Sequence, residues 1–124
     1  MKKVIVESPF AGPDNNTVLQ NIEFGRACLR DCLLRGEAPF ASHTLYTQTN
    51  VLNDDIPEQR AKGMAAGWSW MAVADAVVVY LDRGISSGMS QGIARAAEFG
   101  IPVSYRRLDT PGEEVTELEG TPKL

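Results

Sequence analysis

The chain has 124 residues, of which 44% are hydrophobic, with a net charge of −4 and one histidine; that is enough for one buried core and too little for two domains. Lys and Arg form no cluster, which argues against a nucleic acid polymer as partner, because phosphate-rich chains need a basic face. No apolar run approaches the length of a membrane span, and the run in "MKKVIVESPF" is too short for a signal peptide, so a cytoplasmic protein with no membrane partner is expected.

Residues 2–8, "KKVIVES", form a β-branched run that reads as a buried strand leaving into the turn-rich "SPFAGPDNN". Asn15 or Asn16 is placed to cap a helix over residues 17–35, on which Val18, Ile22, Leu29 and Leu33 recur at near-helical spacing and which Gly36 stops. Cys28 and Cys32 share a face of it as small apolar core residues; with a single histidine and no further cysteine, no metal site is expected. "APFASH", residues 38–43, reads as a second strand, and residues 44–55 as a long polar loop.

Pro57 suits the first turn of a helix running to about residue 73. Gly63 and Gly67 lie four apart on it, either to admit another backbone or merely as weak helix formers. Trp68 and Trp70 face different directions, one toward the core and the other toward a pocket or subunit contact. "DAVVVYL" is the central strand, apolar throughout as when both faces are covered, and Asp75 reads as a turn residue. The loop "LDRGISSGMSQG" feeds a helix over residues 88–99, stopped by Gly100, and residues 101–107 form a last strand. The acidic remainder, residues 108–124, reads as a tail or short edge element, leaving 1–107 as a single domain.

Alternating strands and helices imply an α/β fold with a parallel sheet and helices on both faces. Ligands of such sheets sit beyond the carboxyl ends of the strands. Three loops meet there: residues 8–16, 43–55 and 82–87. In the third, a helix N-terminus offers unpaired amides, Ser86 and Ser87 offer hydroxyls, Met89 follows in the first turn, and Gly88 lets a ligand approach, which together can cradle a phosphate. An ordinary strand-to-helix turn capped by Ser87 explains the same pattern. The P-loop and dinucleotide spacings are both absent. Asp82 ends the central strand and is placed to accept hydrogen bonds from sugar hydroxyls or to act in acid–base work, or to form a strand-end salt bridge with Arg83. Ser8, Phe10 and Gly12 in the first loop, and His43 and Tyr46 near the second strand, are the further ligand candidates, each also explicable as an ordinary turn or strand-end residue.

"SPFAG", "RGEAPFASH" and "ADAVVVYLDRGISSGMSQGIARAAEFGIPV" resemble the nucleoside 2-deoxyribosyltransferase-like superfamily over residues 3–107, closest to its small bacterial and phage members. The resemblance implies a three-layer, flavodoxin-like Rossmannoid sheet, a homo-oligomer with sites near subunit contacts, and a nucleotide-type ligand, with no cofactor. Better-known members cleave or transfer the N-glycosidic bond of deoxynucleosides or their 5′-monophosphates. The superfamily's strand-end aspartate matches Asp82, its phosphate-facing Ser-Gly pair matches Ser87 and Gly88, and its first glycine-bearing loop matches residues 8–12. Its glutamate nucleophile falls at Gly92, between Gln91 and Ile93, which cannot form a glycosyl ester. Glu98 lies about 9 Å further along the helix, and Glu7 is a substitute that the sequence alone does not support.

The resemblance therefore favours a protein that binds a nucleotide-type molecule as a sensor or sequestering device, without covalent transfer. The alternative is an N-glycosidase or deoxyribosyltransferase in which Asp82 or Glu7 supports attack. A third reading is an assembly partner with a vestigial pocket.

Overall fold

The computed structural model describes residues 1–110 and 114–115, so most of the acidic stretch read as a tail lies outside the described residues. Strands β1 (Lys2–Glu7), β2 (Glu37–Phe40), β3 (Ala76–Tyr80), β4 (Val103–Arg106) and β5 (Glu114–Val115) and helices α1 (Asn15–Leu34), α2 (Ser42–Tyr46), α3 (Pro57–Ser69) and α4 (Ser87–Phe99) follow in the order β1-α1-β2-α2-α3-β3-α4-β4-β5. The sheet order is β2-β1-β3-β4-β5, parallel except for the antiparallel β4–β5 pair. Among the described residues no helix is long and apolar enough to cross a membrane.

β3 is buried at every position, as its unbroken apolar run requires. Side-chain alternation splits the core in two. Val4, Val6, Ala76, Val78 and Tyr80 meet Cys28 and Cys32 of α1 on one face. Ile5, Val77, Val79 and Tyr105 meet Met71, Met89 and Ala96 on the other. The two cysteines are thus core residues, as expected. The buried stripe of α1 is Asn21, Gly25, Cys28 and Cys32, not the Val18–Ile22–Leu29–Leu33 row that its apolar spacing suggests; Leu33 is exposed.

Other expectations need local correction. Asp14, not Asn15 or Asn16, caps α1, its carboxylate accepting from the Thr17 amide at 2.7 Å. β2 ends at Phe40, and residues 42–46 coil into α2, so His43 and Tyr46 sit on a short helix rather than at a strand end. α3 stops at Ser69 and continues as a 3-10 turn, Trp70–Ala72. Gly67 allows a close approach, because a Cβ there would stand 2.7 Å from the Ser42 side chain. Ser86 caps α4, its hydroxyl accepting from the Met89 amide at 3.2 Å, and Gly100 closes it in the left-handed region at φ 71°. Arg106 is buried and ion-paired to Glu37 and Glu114, the latter on β5.

Candidate functional site

After β1 the chain crosses to β2 on one side, then returns to β3 on the other, so the crevice between the carboxyl ends of β1 and β3 is the switch point where ligands bind in such sheets. A cavity of about 320 Å³ lies there, walled by the β1 loop, α2, α3 and the start of α4. Of the residues singled out from sequence, Ser8, Phe10, His43, Tyr46, Ser86, Ser87, Gly88 and Met89 line it.

Two candidates do not line it. Asp82 accepts from the backbone amides of Leu108 and Asp109, both at 3.0 Å. Its carboxylate braces the segment leaving β4 instead of pointing into the crevice, and Arg83 turns to Asn21 and Gln20 rather than to Asp82. Gly12 lies on a neighbouring surface depression, against Thr17.

The first wall is built by the buried Asn21 of α1. Its amide donates to the Phe10 and Ala11 carbonyls at 3.0 and 3.4 Å. This pins the β1 loop and sets Phe10 edge-on to His43, ring centroids 6.3 Å apart. The Ser8 hydroxyl and His43 Nε2 are hydrogen-bonded at 2.8 Å. Burial pushes the His43 pKa down to about 4, so the ring is neutral at pH 7. On the next wall, Tyr46 accepts from the Trp70 indole N–H at 3.0 Å.

The mouth of α4 is electropositive. Ser86 occupies the cap, and the first-turn amides of Ser87 and Gly88 have no acceptor within the helix. Facing them is Arg60 of α3, a residue to which the sequence reading gave no role. Its guanidinium stands 3.6 Å from where a Cβ on Gly88 would sit, and it is ion-paired to Asp54 at 2.7 Å. A cation beside the positive end of a helix is unfavourable unless an anion joins them, and Asp54 supplies part of that compensation.

The cavity also holds Glu7, the last residue of β1. Alternation turns it, with Ile5, toward the α3–α4 side of the sheet. There its carboxyl group lies against Gly92 of α4: a Cβ on Gly92 would stand 2.6 Å from Cδ and 2.9 Å from Oε1 of Glu7. Burial raises the Glu7 pKa to about 8. Among the described residues no three His, Cys, Asp or Glu side chains gather into a metal-binding group.

The fold has a counterpart of known structure. The chain is similar to a 2-deoxyribosyltransferase from the psychrotolerant bacterium Bacillus psychrosaccharolyticus, with a TM-score of 0.58 and 20% identity, over 90% of this chain and 74% of that one. At that identity the likeness is one of fold, and the three-layer α/β architecture is shared. No curated protein matches the chain. The model of the family described as "Domain of unknown function (DUF7768)" matches residues 2–106, from the first residue of β1 to the last of β4, and the chain belongs to that family.

Proposed function

We propose that the cavity binds a nucleotide-type small molecule and cleaves or exchanges its N-glycosidic bond. The observation that supports this best is the meeting, in one cavity at the sheet's switch point, of an anion cradle and a carboxyl group. The cradle is formed by the Ser87 and Gly88 amides opposite Arg60; the carboxyl group is Glu7. The first suits a phosphate and the second suits attack on, or stabilisation of, a sugar cation. Phe10, Tyr46 and Trp68 offer ring faces and edges for a base. The fold shared with a 2-deoxyribosyltransferase fits this reading.

Gly92 favours capture without chemistry, because it removes the acid expected on α4. Glu7 weighs against that preference, since an acidic group fills the same space from β1. Incubation with nucleosides and their 5′-monophosphates, followed by chromatography, separates the two. Free base is expected from the monophosphates; nucleotide recovered intact across the panel contradicts the chemistry.

A further inference from the structure

We propose that Glu7 is the catalytic nucleophile of this cavity, acting from β1 in the space that a side chain on α4 at position 92 would otherwise take. The proposal rests on the N-glycosidic reading above and assigns its reacting group.

Three observations converge on Glu7. The first is exclusion. Asp82 is turned away, and Asp54 is held by Arg60 at 2.7 Å, which leaves Glu7 as the acid on the cavity wall with no basic partner among the described residues. The second is position. Gly92 is buried, and a Cβ there would collide with the Glu7 carboxyl group, so the absent side chain is what lets Glu7 lie against α4. The third is distance. Gly92 follows Gly88 by four residues, a rise of about 6 Å along the helix, comparable to the separation between the phosphate and the anomeric carbon of a nucleotide. A phosphate at the α4 mouth thus brings the sugar carbon toward Glu7.

The chemistry balances with water as the co-reactant. A Glu7 carboxylate oxygen forms a bond to C1′ as the C1′–N bond breaks. The bonding pair leaves with the base, which takes a proton from water. A second water, or an acceptor base, then bonds to C1′, and the ester electrons return to Glu7 as carboxylate; the attacking group's proton passes to solvent. The groups that line the cavity with Glu7 are engaged elsewhere. His43 of α2 is neutral and bonded to Ser8. Tyr46 is bonded to Trp70, and Arg60 of α3 is bonded to Asp54. α4 lines the cavity with Ser87, Gly88 and Met89, none of them charged. The buried carboxyl ionises near pH 8, so turnover rises with pH toward that value.

Base release from nucleoside 5′-monophosphates is measured for the wild type, Glu7→Gln, Glu7→Ala, and Glu7→Ala combined with Gly92→Glu, with thermal melting as the check on folding. Glu7→Gln is expected to melt as a folded protein and to lose about a thousandfold in kcat. The double variant, which has room for the new side chain, is expected to regain at least about tenfold over Glu7→Ala. Release by Glu7→Gln within about tenfold of wild type overturns the proposal while leaving the N-glycosidic reading intact. A folded double variant no faster than Glu7→Ala overturns the equivalence of the two positions. No release by the wild type removes the N-glycosidic reading and this proposal together.

Discussion

Glu7 and His43 face one cavity and are displaced in opposite directions by the same cause, loss of water around the charged form. The Glu7 pKa lies above its unfolded value, so its contribution to stability is present at low pH and is lost as pH rises from about 4.5 through about 8. The His43 pKa lies below its unfolded value, so its contribution is present above about 6.5 and is lost as pH falls toward about 4. Between 4.5 and 6.5 the two slopes oppose each other; above 6.5 Glu7 acts alone. The unfolding free energy from urea titration should therefore fall from pH 6.5 to 8 by at most about 1.4 kcal/mol per pH unit, and Glu7→Gln should flatten that fall. An unchanged slope in the variant contradicts the assignment. Gly92→Ala gains about 1 kcal/mol of helix propensity but must push the Glu7 carboxyl group aside, so it should stabilise a Glu7→Ala background more than the wild type, a coupling that a double-mutant cycle reads directly. The facing of Glu7 was legible in the alternation of "VIVE", which puts Val4 and Val6 on one side and Ile5 and Glu7 on the other. That it touches Gly92, 85 residues later, was not, because packing across the sheet leaves no mark in local spacing.

At the scale of elements, β3 and the end of α4 were the most legible, since an unbroken apolar run and the Gly100 stop are local signals; the cap of α4 was read one residue late, at Ser87 in place of Ser86. α2 was not: five residues carry no helical period, and "APFASH" has the composition of a strand. The buried face of α1 was hidden for another reason. Its close packing is made by small residues, so the larger apolar side chains mark the flanks of the contact and not its centre. Asp82 read as a crevice residue because strand ends point there by default; its capture by the Leu108 and Asp109 amides depends on where β4 ends. Two element-scale outcomes follow from these corrections. Ser86→Ala should cost about 1 kcal/mol in denaturant unfolding by losing the α4 cap, with Ser87→Ala near neutral; the reverse order would return the cap to Ser87. Asp82→Asn should lower the melting temperature while leaving base release near wild type, and a folded variant that has lost release would put Asp82 back in the chemistry.

For the molecule as a whole, the reversal of strand order at β1 and β3 brings three distant loops to one crevice, and α3 adds Arg60 across from the α4 mouth. Arg60 carried no sequence signal, since one arginine on a polar helix is an ordinary solvated residue until the fold sets it against an amide terminus. Arg60→Ala should weaken binding of a 5′-monophosphate by about 10- to 100-fold, as for a lost charge-assisted hydrogen bond, and leave the nucleoside almost unaffected. Ligand-induced shifts in melting temperature measure both, and equal loss for the two ligands would place the phosphate elsewhere. The most direct measurement is peptide mass spectrometry on protein acid-quenched during turnover of a nucleoside 5′-monophosphate. The account predicts a pentose phosphate attached to the peptide at Glu7 while free base accumulates; base released with the sugar attached to another residue, or nucleotide bound and returned unaltered, would contradict it.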